Sequence, residues 1–281
     1  MIMSRLKSIH TTLLDHMGSD LTVVNAARAS FDKESDWDYS STSVPTYHGA
    51  VCQGRNEKGV RWLHKKDADL IRFLATGYRS KEWDELRDDV CSCEDDTFAD
   101  AILHKHKKKA QHWAPFAHPQ VSIRVSMPVF LARQMVKHQV GGVWSEVSRR
   151  YVNERPDYWA PERWHTRPKD VKQGSGDGLD ESTQKICDEV FIRQTKRADA
   201  AYQTLLAEGV APEEARIVLP LNTMTTVVWT GSLLFWARVC NQRLDGHAQL
   251  AAQELAKQIS AIVRPLYPVS WEHLVGESSN V

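Results

Sequence analysis

The amino-acid sequence predicts an α+β protein on three observations. Val121, Ile123 and Val125 alternate with Ser122, Arg124 and Ser126, the period of a half-buried strand, and Thr223–Thr230 (TMTTVVWT) is a second β-branched run. Ser182–Glu208, Leu233–Arg243 and His247–Val263 carry helix-like apolar spacing. These strands and helices do not alternate regularly, which argues against a doubly wound sheet. With 281 residues, 42% of them apolar, the chain can hold a core without disulfides or metals.

In chain order, Asp20–Asp32 (DLTVVNAARASFD) has helical spacing through Leu21, Val24 and Ala27. Lys33–Lys66 is polar, contains YSSTSVPTYHG, and is expected to be a loop or insertion. Leu70, Ile71, Phe73 and Leu74 suggest a short helix. Residues 80–110 are densely charged and end in HKHKKKA, an insertion expected to be a solvated face. Cys91, Cys93, His104 and His106 could instead be read as a zinc site, but Cys-x-Cys spacing is a weak signal and no metal is expected.

The alternating strand then leads into Pro128, which opens a helix over PVFLARQMVKHQV. Phe130, Leu131, Met135 and Val136 are expected to face the core. Arg133, Gln134, Lys137 and His138 then occupy another face of that helix, and Gly141–Gly142 ends it. Residues 152–181 form a Pro/Trp-rich and then Gly-rich connector. Pro212–Glu213–Glu214 is a good helix start, and Leu244–Asp245–Gly246 separates the last two long helices. No repeat is visible, so residues 1–281 are expected to form one domain with insertions near 33–66 and 80–110.

Charge narrows the possible partners. The 36 Lys+Arg balance 36 Asp+Glu, so no bulk field favours duplex nucleic acid, and any anion must be held by local arginines. No stretch approaches the roughly 20 apolar residues of a membrane span, and the first twenty residues lack the apolar run of a signal peptide. Five scattered cysteines fit a reducing cytoplasm better than a disulfide scaffold.

The chemistry concentrates in RQMVKHQVGGVWSEVSRRY. A basic helix followed by a Ser/Arg loop is often no more than a solvated surface. Here, however, Gly141–Gly142 permits close backbone approach, and Glu146, Ser148, Arg149 and Arg150 follow at once. Guanidinium forks and backbone amides are natural partners of a phosphate. Arg216 either serves such a ligand or merely caps the apolar IVLPL run. His112 and His118 flank a Pro-Phe turn and are either structural or functional. Cys240, in an apolar helix, is expected to be core.

Four segments in order resemble the flavin-dependent thymidylate synthases. That family carries Gln-x-x-Arg-His-Arg and then Asn-Glu-x-Ser-x-Arg-Tyr. This chain reads Gln134-Met-Val-Lys137-His138-Gln139, VGGVWS, then Glu146-Val-Ser148-Arg-Arg150-Tyr151. His112-Trp-Ala-Pro115-Phe116-Ala-His118 is similar to the preceding family element, and ARIVLPLN stands at Ala215–Asn222. Arg243-Leu-Asp245-Gly-His247-Ala-Gln249 is similar to Arg-x-Asp-x-His-Ala-Gln, and VNAARASFD resembles the opening segment.

The resemblance implies an antiparallel-rich sheet flanked by long helices, in an obligate oligomer, a homotetramer with nucleotide and flavin shared between subunits. It implies a methyltransferase that moves a one-carbon unit from methylenetetrahydrofolate to C5 of dUMP, giving dTMP. FAD would be the cofactor and NADPH the reductant. Gln134, Glu146, Ser148, Arg150, Arg216 and Arg243 would surround the nucleotide, with Arg243, Gln134 and Ser148 catalytic. Ser30, Lys137, His138, Gln139, Glu146 and His247 would lie near the flavin.

Departures fall mostly on the flavin side. Lys137 and Gln139 replace both arginines of the triplet, and one extra residue separates His138 from Ser148. Ser145 replaces Asn, Ala114 and Ala117 replace Thr and Glu, and Ser232, Leu234 and Arg238 fall where Asn, Arg and Asn are frequent. Two alternatives follow: hydroxymethylation of dUMP or dCMP on the same scaffold, and a non-catalytic nucleotide-binding relative.

Overall fold

The computed structural model describes residues 3–41, 50–79, 112–152, 154–168 and 174–275, with positions 43, 45, 82 and 85. The candidate zinc ligands Cys91, Cys93, His104 and His106, and nearly all of the charged 80–110 stretch, lie outside them. The chain divides into two compact units, neither continuous in sequence.

The first unit comprises residues 1–14, 122–230 and 242–258. Its centre is a four-stranded sheet of order β1-β5-β7-β6, with β1 at His10–Met17, β5 at Gln120–Pro128, β6 at Gly142–Glu146 and β7 at Met224–Ser232. The predicted alternation is realised in β5, where Ile123, Val125 and Met127 are fully buried. On its other face Ser122 bonds Thr230 at 2.8 Å and Ser126 bonds Thr226 at 2.9 Å. One number rises by four as the other falls by four, so β5 and β7 run antiparallel.

Two further helices of this unit fix the site. Helix α3 (Val129–Met135) begins after Pro128 and buries Leu131 and Met135. It is shorter than the sequence suggests: the chain turns through residues 136–141, with Gly141 at φ +87°, and enters β6 at Gly142. Lys137 and His138 therefore belong to a turn, not to a helix face. Helix α4 (Glu181–Ala207) starts on Asp180, whose carboxylate accepts from the backbone N–H of Ser182 and Thr183. Within the helix, Asp199 is 2% exposed and is held by the Arg155 guanidinium and by the Tyr158 hydroxyl at 3.1 Å.

The second unit comprises residues 15–121, 231–241 and 259–281. Its helix α1 (Asp20–Arg28) matches the sequence reading, and α2 (Lys65–Thr76) buries Ile71 and Leu74. The expected loop at 33–66 proves to hold a small antiparallel sheet of β2 (Asp38–Ser40), β3 (Arg55–Asn56) and β4 (Gly59–Trp62), in the order β2-β4-β3. Strands this short leave no readable period. A helix the sequence did not signal, α8 (Pro268–Leu274), packs on α2. Its first turn donates Val269 and Ser270 N–H to the buried Asp20 carboxylate, at 2.9 and 3.0 Å. Burial pushes that carboxyl up to about 6, despite the opposing hydrogen bonds.

The chain also forms α5 (Pro212–Ala215), α6 (Leu233–Arg243) and α7 (Leu250–Val263). The last starts three residues later than the spacing suggests, because Asp245 organises a turn that takes the N–H groups of His247 and Ala248.

Candidate active site

The first unit contains a cavity of about 1430 Å³, larger than the roughly 300–1,000 Å³ of an ordinary small-ligand site. Gln134 from the last turn of α3, Arg243 from the end of α6 and His247 from the following turn all line it. Arg243 donates its Nε–H to Nε2 of His138 at 3.0 Å. His138 must therefore be neutral, with its proton on Nδ1. Burial and then the Arg243 charge hold the imidazole below its ordinary range, and burial also lowers Arg243.

Two features of the cavity lining bear on ligand binding. The terminal amino groups of Arg243 have no hydrogen-bond partner among the described residues, since only its Nε is engaged. Gln134 Oε1 is likewise buried and unpartnered among them. Donors and a buried acceptor thus belong to residues that line one cavity, and an unmade hydrogen bond at a desolvated group is one that a polar ligand can supply.

The 152–181 connector also lines the cavity, a role the sequence reading missed. Trp159, Glu162 and Trp164 line the cavity, together with Phe130 and with Glu254 of α7. Trp164 is fixed by Asp188, which accepts its Nε1–H at 2.9 Å, and Trp159 packs edge-on to Phe130. Desolvation and the neighbouring Glu162 carboxylate hold Glu254 above the usual carboxylate range. The density of Trp and Pro in a supposed linker was the available signal.

The remaining candidates lie elsewhere. Glu146 and Arg216 line a second cavity of about 530 Å³, which shares no lining residue with the first. Glu146 accepts from Thr225 at 2.8 Å, and Arg216 donates Nε–H to the Glu213 carbonyl at 3.1 Å. Ser148 and Arg150 follow β6 on one loop, with Arg150 Nε–H donated to Ser148 Oγ at 3.1 Å and its guanidinium over the Tyr151 ring. Lys137 and Gln139 are exposed in the turn after α3. Ser30 is exposed in the second unit and donates its hydroxyl to the Ala27 carbonyl at 3.1 Å. His112 and His118 are exposed there too, His112 lying 5.5 Å from the Phe73 ring. Cys240 is fully buried as expected, and burial drives its thiol far up. No helix among the described residues is long and apolar enough to cross a membrane.

The family model for the thymidylate synthase complementing protein matches residues 12–269. The chain belongs to this family. Its similar relatives are flavin-dependent thymidylate synthases. That of Kosmotoga olearia is 33% identical over 165 residues, covering 57% of this chain and 70% of the relative. That of Thermus thermophilus is 34% identical over 181 residues, covering 63% and 65%. That of Ehrlichia ruminantium is 26% identical over 265 residues, covering 94% and 69%. This chain thus spans about two thirds of the length of the relatives it matches. The fold is shared with the crystal structure of the UMP/dUMP methylase PolB from Streptomyces cacaoi bound with 5-Br dUMP, with a TM-score of 0.67 and 22% identity over 95% of each chain. Membership explains why the motifs at 112–118, 134–151, 215–222 and 243–249 occur together in one sequence.

Proposed function

We propose that this chain is a flavin-dependent methyltransferase that moves a one-carbon unit from methylenetetrahydrofolate to C5 of dUMP, giving dTMP. The observation that carries the reading is the lining of one cavity by Arg243, whose terminal amino groups have no hydrogen-bond partner among the described residues, and by Gln134, whose Oε1 has none among them either. A uracil ring offers carbonyl acceptors and an N3–H donor, the complement of that lining. Arginine N–H groups against a ring carbonyl also stabilise negative charge developing on the pyrimidine. The family's relatives and the methylase of shared fold, whose bound ligand is a brominated dUMP, favour the same nucleotide class.

The residues fit a flavin in the same cavity. Its volume leaves room beside a nucleotide, Trp159 and Phe130 offer flat apolar surface, and His247 adds a polar ring. The resemblance assigns His138, Lys137, Gln139, Glu146 and Ser30 to FAD as well. Once bound, FAD would supply redox equivalents drawn from NADPH. The chain's own part is orientation and electrostatics, because Cys240, buried with its thiol proton tightly held, is unsuited as a nucleophile.

Glu146, Ser148, Arg150 and Arg216 would grip ribose and phosphate from a second copy, which makes the site one shared within a homotetramer. Exposed apolar side chains beside them support this, with Ile217 at 80%, Tyr151 at 76% and Val143 at 69% exposure. The test is an absorption spectrum of the purified protein titrated with FAD and then dUMP. Flavin bands perturbed by the nucleotide are expected, and protein that never takes up flavin sinks the mechanism. An Arg150→Ala change should raise the dUMP KM, and product mass with and without NADPH separates methylation from hydroxymethylation.

A further inference from the structure

The resemblance places His138 near the flavin, and in the structure its Nε2 accepts from Arg243. We infer that His138 is a positioning residue for nucleotide binding: its neutral imidazole holds the Arg243 guanidinium by the Nε–H so that both terminal amino groups face the cavity. The inference rests on the proposed nucleotide site.

A free arginine side chain rotates about four torsions, and a guanidinium at a cavity wall can present any edge. Here the Nε edge is taken at 3.0 Å by an acceptor 105 residues away in sequence. Only the terminal amino groups remain for a ligand. His138 itself is steadied by its turn, where its N–H donates to the Met135 carbonyl at 3.0 Å, and by the Trp229 ring with centroids 6.5 Å apart. It does not line the cavity, whereas Arg243 does. The histidine therefore acts through the arginine.

The bond needs an acceptor, so it exists only while His138 is neutral. Protonation removes the lone pair and sets a cation against Arg243. Around the ring, Arg243 is the charged group whose field acts on it, Trp229 is uncharged, and the neighbouring Lys137 is exposed. Both burial and Arg243 keep the ring neutral at neutral pH, so the loss comes only as pH falls below the ordinary histidine range.

The experiment is calorimetric titration of dUMP into the purified full-length protein between pH 5 and 8, for wild type, His138→Ala and His138→Asn. Asparagine keeps an acceptor but cannot titrate. At pH 8 the alanine variant should bind about tenfold more weakly, the scale of losing a hydrogen bond to a charged group, while the asparagine variant stays within about threefold of wild type. The ratio of wild-type to His138→Asn affinity should fall toward pH 5. Taking the ratio cancels titration of the nucleotide's own phosphate, whose second pKa is about 6. A ratio flat with pH overturns the inference, as does an alanine variant that binds dUMP normally and loses only flavin absorption. If the alanine variant does not fold, the pH ratio still decides. Wild type that binds no dUMP at any pH instead sinks the nucleotide site itself, and the inference with it.

Discussion

Two arginines of the first unit end against buried polar groups, and they are opposites. Arg155 meets Asp199, which is also bonded by the Tyr158 hydroxyl, so the carboxylate is compensated and its fork is filled. Arg243 meets a neutral imidazole through one N–H only, and shares a cavity lining with Gln134, whose Oε1 has no partner among the described residues. The Asp199 cluster holds α4 to the connector. The cavity lining keeps donors and an acceptor unspent. Saturated polar clusters are cement, whereas desolvated and unsatisfied ones mark where a ligand completes the structure.

The largest effect is expected at Asp199. An Asp199→Ala change should cost about 3–5 kcal/mol in urea unfolding, because it takes the carboxylate away from a partly buried guanidinium and a buried phenol. A loss below about 1 kcal/mol would mean the cluster is not structural. At the other arginine, Arg243→Ala should lower turnover by roughly 10²–10³-fold with little change in melting temperature, the magnitude of a lost donor at developing charge. Melting that falls as far as in the Asp199 variant would erase the distinction.

Asp20 in the second unit sharpens it further, as a compensated carboxylate whose burial still outweighs its bonds. Its folded value of about 6 lies above the 3.8 of an unperturbed aspartate. The folded state therefore binds the proton more tightly, and the stability this gives is full below about pH 4 and lost as pH rises through 6. Two pKa units correspond to about 3 kcal/mol. Asp20→Asn should remove that downward slope, and matching slopes in variant and wild type would refute the assignment. The smallest effect is expected at Gln134. Gln134→Leu removes a desolvated acceptor, so the fold should be unchanged or slightly more stable while dUMP binding weakens about tenfold. Unaltered binding would remove Gln134 from the site.

Legibility in the sequence followed length and local period. Strand β5 was readable because Ile123, Val125 and Met127 line one face, and α4 because 27 residues give several turns of repeat. The sheet at 38–62 was not, since two to four residues carry no period, although Asn56 and Gly59 flanking the two-residue Glu57–Lys58 turn between β3 and β4 were a hint of a hairpin. The end of α3 was misplaced because Lys137, His138 and Gln139 tolerate helix and turn alike, and tertiary pairing of β6 decided between them.

By itself the sequence determined the family, the order of its motifs and the residue types available for a nucleotide, because those are local patterns of side chains. Tertiary structure alone decided that Gln134, Arg243 and His247 share one cavity while Glu146 and Arg216 line another. It also decided that His138 faces Arg243 rather than the cavity. Contacts between residues 105 apart depend on how strands pair and helices end, and no periodicity along the chain encodes which edge of a guanidinium an imidazole will meet.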